Sequence, residues 1–378
     1  MAQTVSVLEL GSEAHSIAEI ERELRQLRRR ASAAAIESAG SPARATVLNV
    51  IVHAMRRSHA ERAARTIADL SERHPSRAVI LLRGEGPAGD DFRLTCYERA
   101  NGAGQVRYEQ IVVWSRTSSA HQLRSIVIPL LVPDVPVFLW WTGAPLLGTL
   151  VFRELVELAG RLVVDSADFA RPEEALPQLS SYFEGDETTA LTDLNWARLT
   201  PWRELLAQFF DVPEWRPFLF SVTGVRIGFA VDMDGREIHP SQALLLLGWM
   251  AARLSWGSRE LLAPSEAGGA LFRISRSDRE AVWIRLRPRF FRGSENGNVT
   301  GVRILADANG RHAEFVVKRD EAGGSHADMQ VLLDGEPAMR RRVFLPVPAV
   351  GELLAEELSI LRSDLVYEDA LATLCALT

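Results

Sequence analysis

The sequence predicts a Rossmann-like α/β domain, with a mostly parallel open sheet and helices on both faces, followed by an α+β domain with an antiparallel sheet. Three observations predict it. Between residues 46 and 183, apolar β-branched runs alternate with helical stripes, the pattern of successive βαβ units. Beyond residue 216 the runs shorten, alternate apolar with polar and are separated by glycine turns, the pattern of antiparallel pairing. The 378 residues also exceed what one core usually supports. The predicted organisation is therefore an N-terminal helix and linker over 1–45, the first domain over 46–215 and the second over 216–378.

The elements follow in order. Ile17, Ile20, Leu24 and Leu27 recur at helical spacing and predict a helix over 13–30, packed on its own domain or on a partner. Gly40, Ser41 and Pro42 break the chain before a buried strand over 46–52. The next helix shows Ser58 and Glu61 as a capping box, Ala60, Ala63, Ile67 and Leu70 as the buried stripe, and Pro75 as its stop. A strand over 76–82 completes the unit. Residues 92–99 and 106–117 read as a hairpin turning at Asn101 and Gly102. A helix over 120–131, a fully apolar strand over 135–142, a helix over 146–159, a strand over 162–165 and a helix over 172–183 continue the alternation. An aromatic-rich helical segment over 191–210 ends the domain, with Thr200 as N-cap and Pro201 first in the helix. The second domain reads as a strand over 219–229, a turn at Asp234 and Gly235 and a helix over 240–255. Strands follow over 270–276, 281–289, 301–306, 312–318 and 328–333, then helices over 349–361 and 365–376.

Charge and composition narrow the function. A net charge of -6 argues against a polyanion such as nucleic acid as the main ligand. The two cysteines, Cys96 and Cys375, are far apart, and no CxxC or Cys/His cluster offers zinc spacing, so a reducing compartment and no metal are expected. Residues 1–10 lack the basic start and apolar core of a signal peptide. The apolar stretch over 126–141 is interrupted by Pro129, Pro133, Asp134 and Pro136, and that over 243–252 is too short to span a bilayer. A cytoplasmic protein without a membrane partner is the expectation.

A Rossmann-like sheet directs the search for chemistry to its first strand-to-helix turn, which reads His53, Ala54, Met55, Arg56, Arg57, Ser58. It has no glycine, so neither the dinucleotide fingerprint nor a P-loop is present and no cofactor is expected. Gly84, Gly86 and Gly89 precede a strand and read as a loop. Arg56 and Arg57 fall beyond a strand end and beside a helix N-terminus, where they clamp a phosphate or a partner's carboxylates, or else lie solvated. Asp165 and Asp168 read as a magnesium or acid-base pair, or as turn and cap residues. His53, His59 and His74 meet no nucleophile motif, HExxH is absent, and no catalytic constellation emerges. The nine tryptophans are the unusual resource: Trp140 and Trp141 end a strand, and Trp196, Trp202 and Trp215 crowd a helical region. Asn195, Trp196, Arg198, Trp202 and Arg203 join the two residue types richest in interface hot spots and form the predicted partner-binding segment, with core packing as the other reading.

The segments LNVIV at 48–52, RHPSRA at 73–78, VFLWW at 137–141, TDLNWARLTPWR at 192–203 and LLLGW at 245–249 occur in this order. Together they resemble the OpcA family of glucose-6-phosphate dehydrogenase assembly proteins, from about residue 46 to beyond residue 256. The resemblance implies a non-catalytic assembly factor and allosteric activator in the oxidative pentose phosphate pathway. It would bind glucose-6-phosphate dehydrogenase and favour its active oligomer, leaving NADP and the hydride chemistry to that enzyme. Cyanobacterial members are associated with thioredoxin-linked control through C-terminal cysteines; here only Cys375 lies near that end, as a candidate redox residue. The alternative function is a small-molecule enzyme working at the sheet edge near Arg56 and Arg57.

Overall fold

The computed structural model describes residues 10–14, 46–71, 73–83, 91–101, 104–115, 120–185, 188–233, 238–264, 269–276, 280–292, 294–321, 325–360 and 362–377, with Glu19, Arg22, Gln26 and Asp278. These build two eight-stranded sheets. Glu19, Arg22 and Gln26 are helical, as the first predicted helix requires, and its apolar stripe lies outside the described residues. So do the 84–90 loop and the turn at Asp234 and Gly235.

The first sheet contains β1 (Leu10–Ala14), β2 (Leu48–Ala54), β3 (Ser76–Arg83), β4 (Asp91–Asn101), β5 (Gly104–Ser115), β6 (Val137–Trp141), β7 (Arg161–Val164) and β8 (Ala190–Asp193). Their lateral order is β1-β4-β5-β3-β2-β6-β7-β8. The strands β5, β3, β2, β6 and β7 pair in parallel, while β4 and β1 add an antiparallel edge. From β5 to β8 the order is that of a doubly wound dinucleotide fold, reversing between β2 and β6.

All seven residues of β2 are buried, as a parallel strand covered on both faces must be. Two polar side chains in this core secure the end of the helix Ala120–Leu130. Arg77 pairs with Glu109 and donates through Nη1 to the Leu130 carbonyl at 3.0 Å. The Asn49 amide donates to the Val132 carbonyl and accepts from the Val132 amide, both at 2.9 Å. Carbonyls at a helix end have no intrahelical donor, so these side chains supply it. The helix Arg57–Leu70 buries Ala60, Ala63, Ile67 and Leu70 as the spacing predicts. Its N-cap is Arg56, however, which places Ser58 inside the first turn; the capping box does not form, and Glu61 pairs with Arg57 at 2.9 Å.

The second sheet contains β9 (Val222–Val231), β10 (Gly257–Pro264), β11 (Ala270–Ser275), β12 (Ala281–Phe290), β13 (Val299–Ala308), β14 (Arg311–Arg319), β15 (His326–Leu333) and β16 (Glu336–Phe344). The order is β10-β11-β12-β9-β13-β14-β15-β16. It is antiparallel, as the sequence predicts, except for the pair β12 and β9, which runs parallel. The long connection from β9 through the helix Ser241–Arg253, β10 and β11 permits that pairing, since parallel neighbours need a crossover. In β12 the residues Val282, Ile284 and Leu286 are buried while Trp283, Arg285 and Arg287 are exposed, so one face looks to water. The helices Ser241–Arg253, Leu365–Leu377 and Pro172–Phe183 pack together in the same unit.

The compact units are discontinuous in sequence. The first comprises Met1–Asp165, Gly185–Thr192 and Ala349–Ser363; the second comprises Ser166–Glu184, Asp193–Pro348 and Asp364–Thr378. Segments 166–184 and 193–215, placed by sequence in the first domain, thus cluster with the second sheet, and 349–363 with the first. No helix among the described residues is long and apolar enough to cross a membrane.

Candidate functional site

In a doubly wound sheet, ligands settle beyond the strand ends where the order reverses, here the mouth between β2 and β6. Side chains close that mouth. His53 and Trp141, in register on the two strands, stack at 3.7 Å with 15° between planes, and Phe152 meets Trp141 edge-on at 5.0 Å. Thr142 donates to the His53 carbonyl through its amide at 3.1 Å and its hydroxyl at 3.0 Å, with Oγ1 also 3.3 Å from His59 Nδ1. A pyrophosphate needs glycine backbone at close range, and the turn offers Met55, Arg56 and Arg57, all exposed. These residues do not fit a dinucleotide. Arg57 is engaged by Glu61, and both arginines are exposed to solvent.

The predicted partner-binding segment lies on the helices Leu194–Arg198 and Thr200–Gln208, just after β8. Asn195, Trp196 and Trp202 are buried, and Arg198 and Arg203 half-buried, which favours the core-packing reading of this segment. The reason is a closed polar network. Asp193 Oδ1 accepts from the amides of Asn195 at 2.8 Å and Ser166 at 2.9 Å. Asn195 Nδ2 donates to Ser166 Oγ at 3.1 Å and Ser241 Oγ at 2.8 Å, and its Oδ1 accepts from Gln242 Nε2 at 2.9 Å. Gln242 reaches on to Asn298 and to the Val299 amide, both at 2.8 Å.

Trp196 is held on both sides. Its Nε1 donates to Asp364 Oδ2 at 2.8 Å, while Asp364 Oδ1 accepts from the Val366 and Tyr367 amides at the start of the last helix. The Arg203 guanidinium lies 3.5 Å over the Trp196 ring and donates to the Trp196 carbonyl at 2.9 Å. Tyr367 packs 5.4 Å from the same ring. Its hydroxyl is pushed well above the ordinary tyrosine range by burial and then by the Asp193 and Asp364 carboxylates, so it stays neutral. This network can lock helices together but admits no substrate. Ser241, Gln242, Asp364 and Tyr367 escaped sequence reasoning because single polar residues inside helical stripes carry no motif; Asp193 stood within the family-like segment, which the sequence assigned to a helix.

Asp165 is buried and Asp168 is exposed in the 3-10 turn Ser166–Asp168. No group of three or more His, Cys, Asp or Glu among the described residues is placed to hold a metal ion. Cys375 is half-buried on the helix Leu365–Leu377, with Sγ 3.6 Å from Ser181 Oγ. Trp140 and Trp141 are both buried.

Family models for the glucose-6-phosphate dehydrogenase subunit match this chain in two parts, the N-terminal domain over residues 67–181 and the C-terminal domain over 189–371. Relatives named OxPP cycle protein OpcA are 31% identical over 195 residues in a Synechocystis strain and 32% identical over 196 residues in Nostoc punctiforme. Each alignment covers 50% of this chain, and 39% and 40% of the relatives, so the matched region is under half their length. Among solved structures, an NAD binding oxidoreductase from Klebsiella pneumoniae aligns at a TM-score of 0.48 and 11% identity, over 88% of this chain and 96% of that one. Synechocystis biliverdin reductase aligns at 0.45 and 12%, over 88% and 98%.

Proposed function

Because this chain belongs to the OpcA family of glucose-6-phosphate dehydrogenase assembly proteins, we propose that it is a non-catalytic partner of that dehydrogenase. It binds the enzyme in the cytoplasm and favours its active oligomer, acting as an allosteric activator in the oxidative pentose phosphate pathway. The observation that carries this reading is the contrast within the first sheet. The strand order is that of a dinucleotide site, yet the mouth is filled by His53, Trp141 and Thr142 and its turn has no glycine. A chain built this way supports binding better than hydride transfer. Activation then follows from differential affinity, since a partner shifts an equilibrium only by preferring one state.

Mixing the purified chain with the cognate dehydrogenase tests the proposal. Co-elution and a shift of the glucose-6-phosphate saturation curve are expected. Absence of both overturns it, and turnover of a metabolite by this chain alone, lost in Arg56→Ala with Arg57→Ala, would favour the small-molecule enzyme instead.

A further inference from the structure

We infer that the exposed face of the second sheet, centred on Arg226, is a docking surface for an acidic protein partner; this rests on the assembly role proposed above and assigns it a surface. The register sets the case. Arg226 on β9 stands opposite Arg285 on β12 and opposite Arg303 on β13, so three arginines form a row across adjacent strands. Two residues along the same face, Gly228 stands between Arg287 and Gly301, and Gly301 stands opposite Lys318 on β14. Neighbouring strands are about 4.8 Å apart, so the charges on adjacent strands lie within one screening length of each other, about 8 Å at physiological salt.

Like charges directly opposite destabilise a sheet. Arg303 is relieved by Glu314 at 2.6 Å and Lys318 by Glu321 at 2.7 Å. Arg226, Arg285 and Arg287 are exposed and make no hydrogen bond or ion pair among the described residues. Composition does not force this crowding, because the chain as a whole carries a net charge of -6. Cations in register on an uncovered face therefore await carboxylates from outside.

The relief of the face fits a protein surface. The paired glycines leave a shallow depression of about 210 Å³ bordered by Arg226, Arg287, Arg289, Arg303 and Lys318. A side chain at Gly228 would intrude on it, its Cβ lying 3.0 Å from Thr300 Oγ1 and 3.6 Å from the Arg289 side chain. Beside the arginine row, Trp283 is 49% exposed and stands opposite Gly224, over which Leu305 packs. Arginine beside an exposed tryptophan is the composition of interface hot spots. The patch runs over β12, β9, β13 and β14, three strand spacings or roughly 15 Å, wider than one phosphate group needs. An acidic protein surface can meet the whole patch, with carboxylates between the guanidinium groups and an apolar contact on Trp283.

The test uses the full chain with Arg226→Gln, Arg285→Gln and Arg287→Gln combined, titrated against the cognate dehydrogenase at low and physiological salt. Loss of affinity on the order of 100-fold is expected, as for charge pairs removed at an interface, with a shallower salt dependence than wild type. The melting temperature should hold or rise, because repulsion within the sheet is relieved; this separates lost docking from lost folding. Trp283→Ala alone should weaken binding on the order of tenfold. If wild type binds and the triple variant binds equally well, this surface is overturned while the assembly role stands. If wild type fails to bind at all, the assembly role falls and the docking surface with it. Inorganic pyrophosphate is the second probe: binding that the triple variant loses while it keeps the dehydrogenase would make this a small-anion site and overturn docking.

Discussion

Asn195 shows how a residue that looks like a contact can be a lock. Its side chain satisfies Ser166, Ser241 and Gln242 at once, inside a region with no solvent access. Truncation to alanine strands those groups in the interior, where each unsatisfied polar group costs about 1–3 kcal/mol. Asn195→Ala should therefore lower unfolding stability by roughly 3 kcal/mol in a urea titration, allowing for partial rescue by water. The folded fraction should still bind the dehydrogenase with wild-type affinity. A stable variant with lost binding would restore the segment to the role of contact surface. Trp196 belongs to the same reading, since Arg203 covers one face of its ring and Asp364 takes its only donor. Tryptophan and arginine adjacent in sequence are enriched at interfaces and equally suited to capping each other; only the fold distinguishes the two.

At the scale of elements, the helices Ser241–Arg253 and Leu365–Leu377 approach closely at Gly248. A Cβ at Gly248 would stand 2.5 Å from the Ala370 carbonyl oxygen, and that atom belongs to a helix backbone that cannot swing aside. Gly248→Ala gains helix propensity but must push the helices apart, so it should destabilise by about 1–3 kcal/mol; a melting temperature at or above wild type would contradict the packing. The sequence made such elements legible to different degrees. The βαβ core was readable because Ile51, Ile67 and Ile80 belong to runs whose period matches their burial. The strand β8 was absorbed into a predicted helix because four residues carry too little pattern before Asp193 caps the next turn. β16 escaped because its exposed residues include three consecutive arginines, Arg340 to Arg342, and an edge strand need not alternate. The arginines of β12 were visible every second residue, but their neighbours on β9 and β13 depend on a parallel pairing that no local pattern announces.

For the whole molecule, the helix Val350–Glu357 clusters with the first sheet and the helix Leu365–Leu377 with the second, so a few residues near the C-terminus complete both units. Val350–Glu357 packs on the helix Arg57–Leu70 and buries Leu353, Leu354 and Ala355. The segments 166–184 and 193–215 supply the second unit with the helix Pro172–Phe183 and the Trp196 network. A cut at residues 215 and 216, where sequence alone divides the domains, would leave the first piece without 349–363 and the second without 166–184 and 193–215. Each piece would expose the apolar face that its missing helices cover, at about 25 cal/mol for every Å² returned to water. Domains of ordinary stability hold only about 5–15 kcal/mol in reserve. Neither 1–215 nor 216–378 expressed alone should give a cooperative unfolding transition, while the intact chain should. Two separately cooperative halves would show that each sheet carries a sufficient core of its own and that the discontinuous segments are accessory.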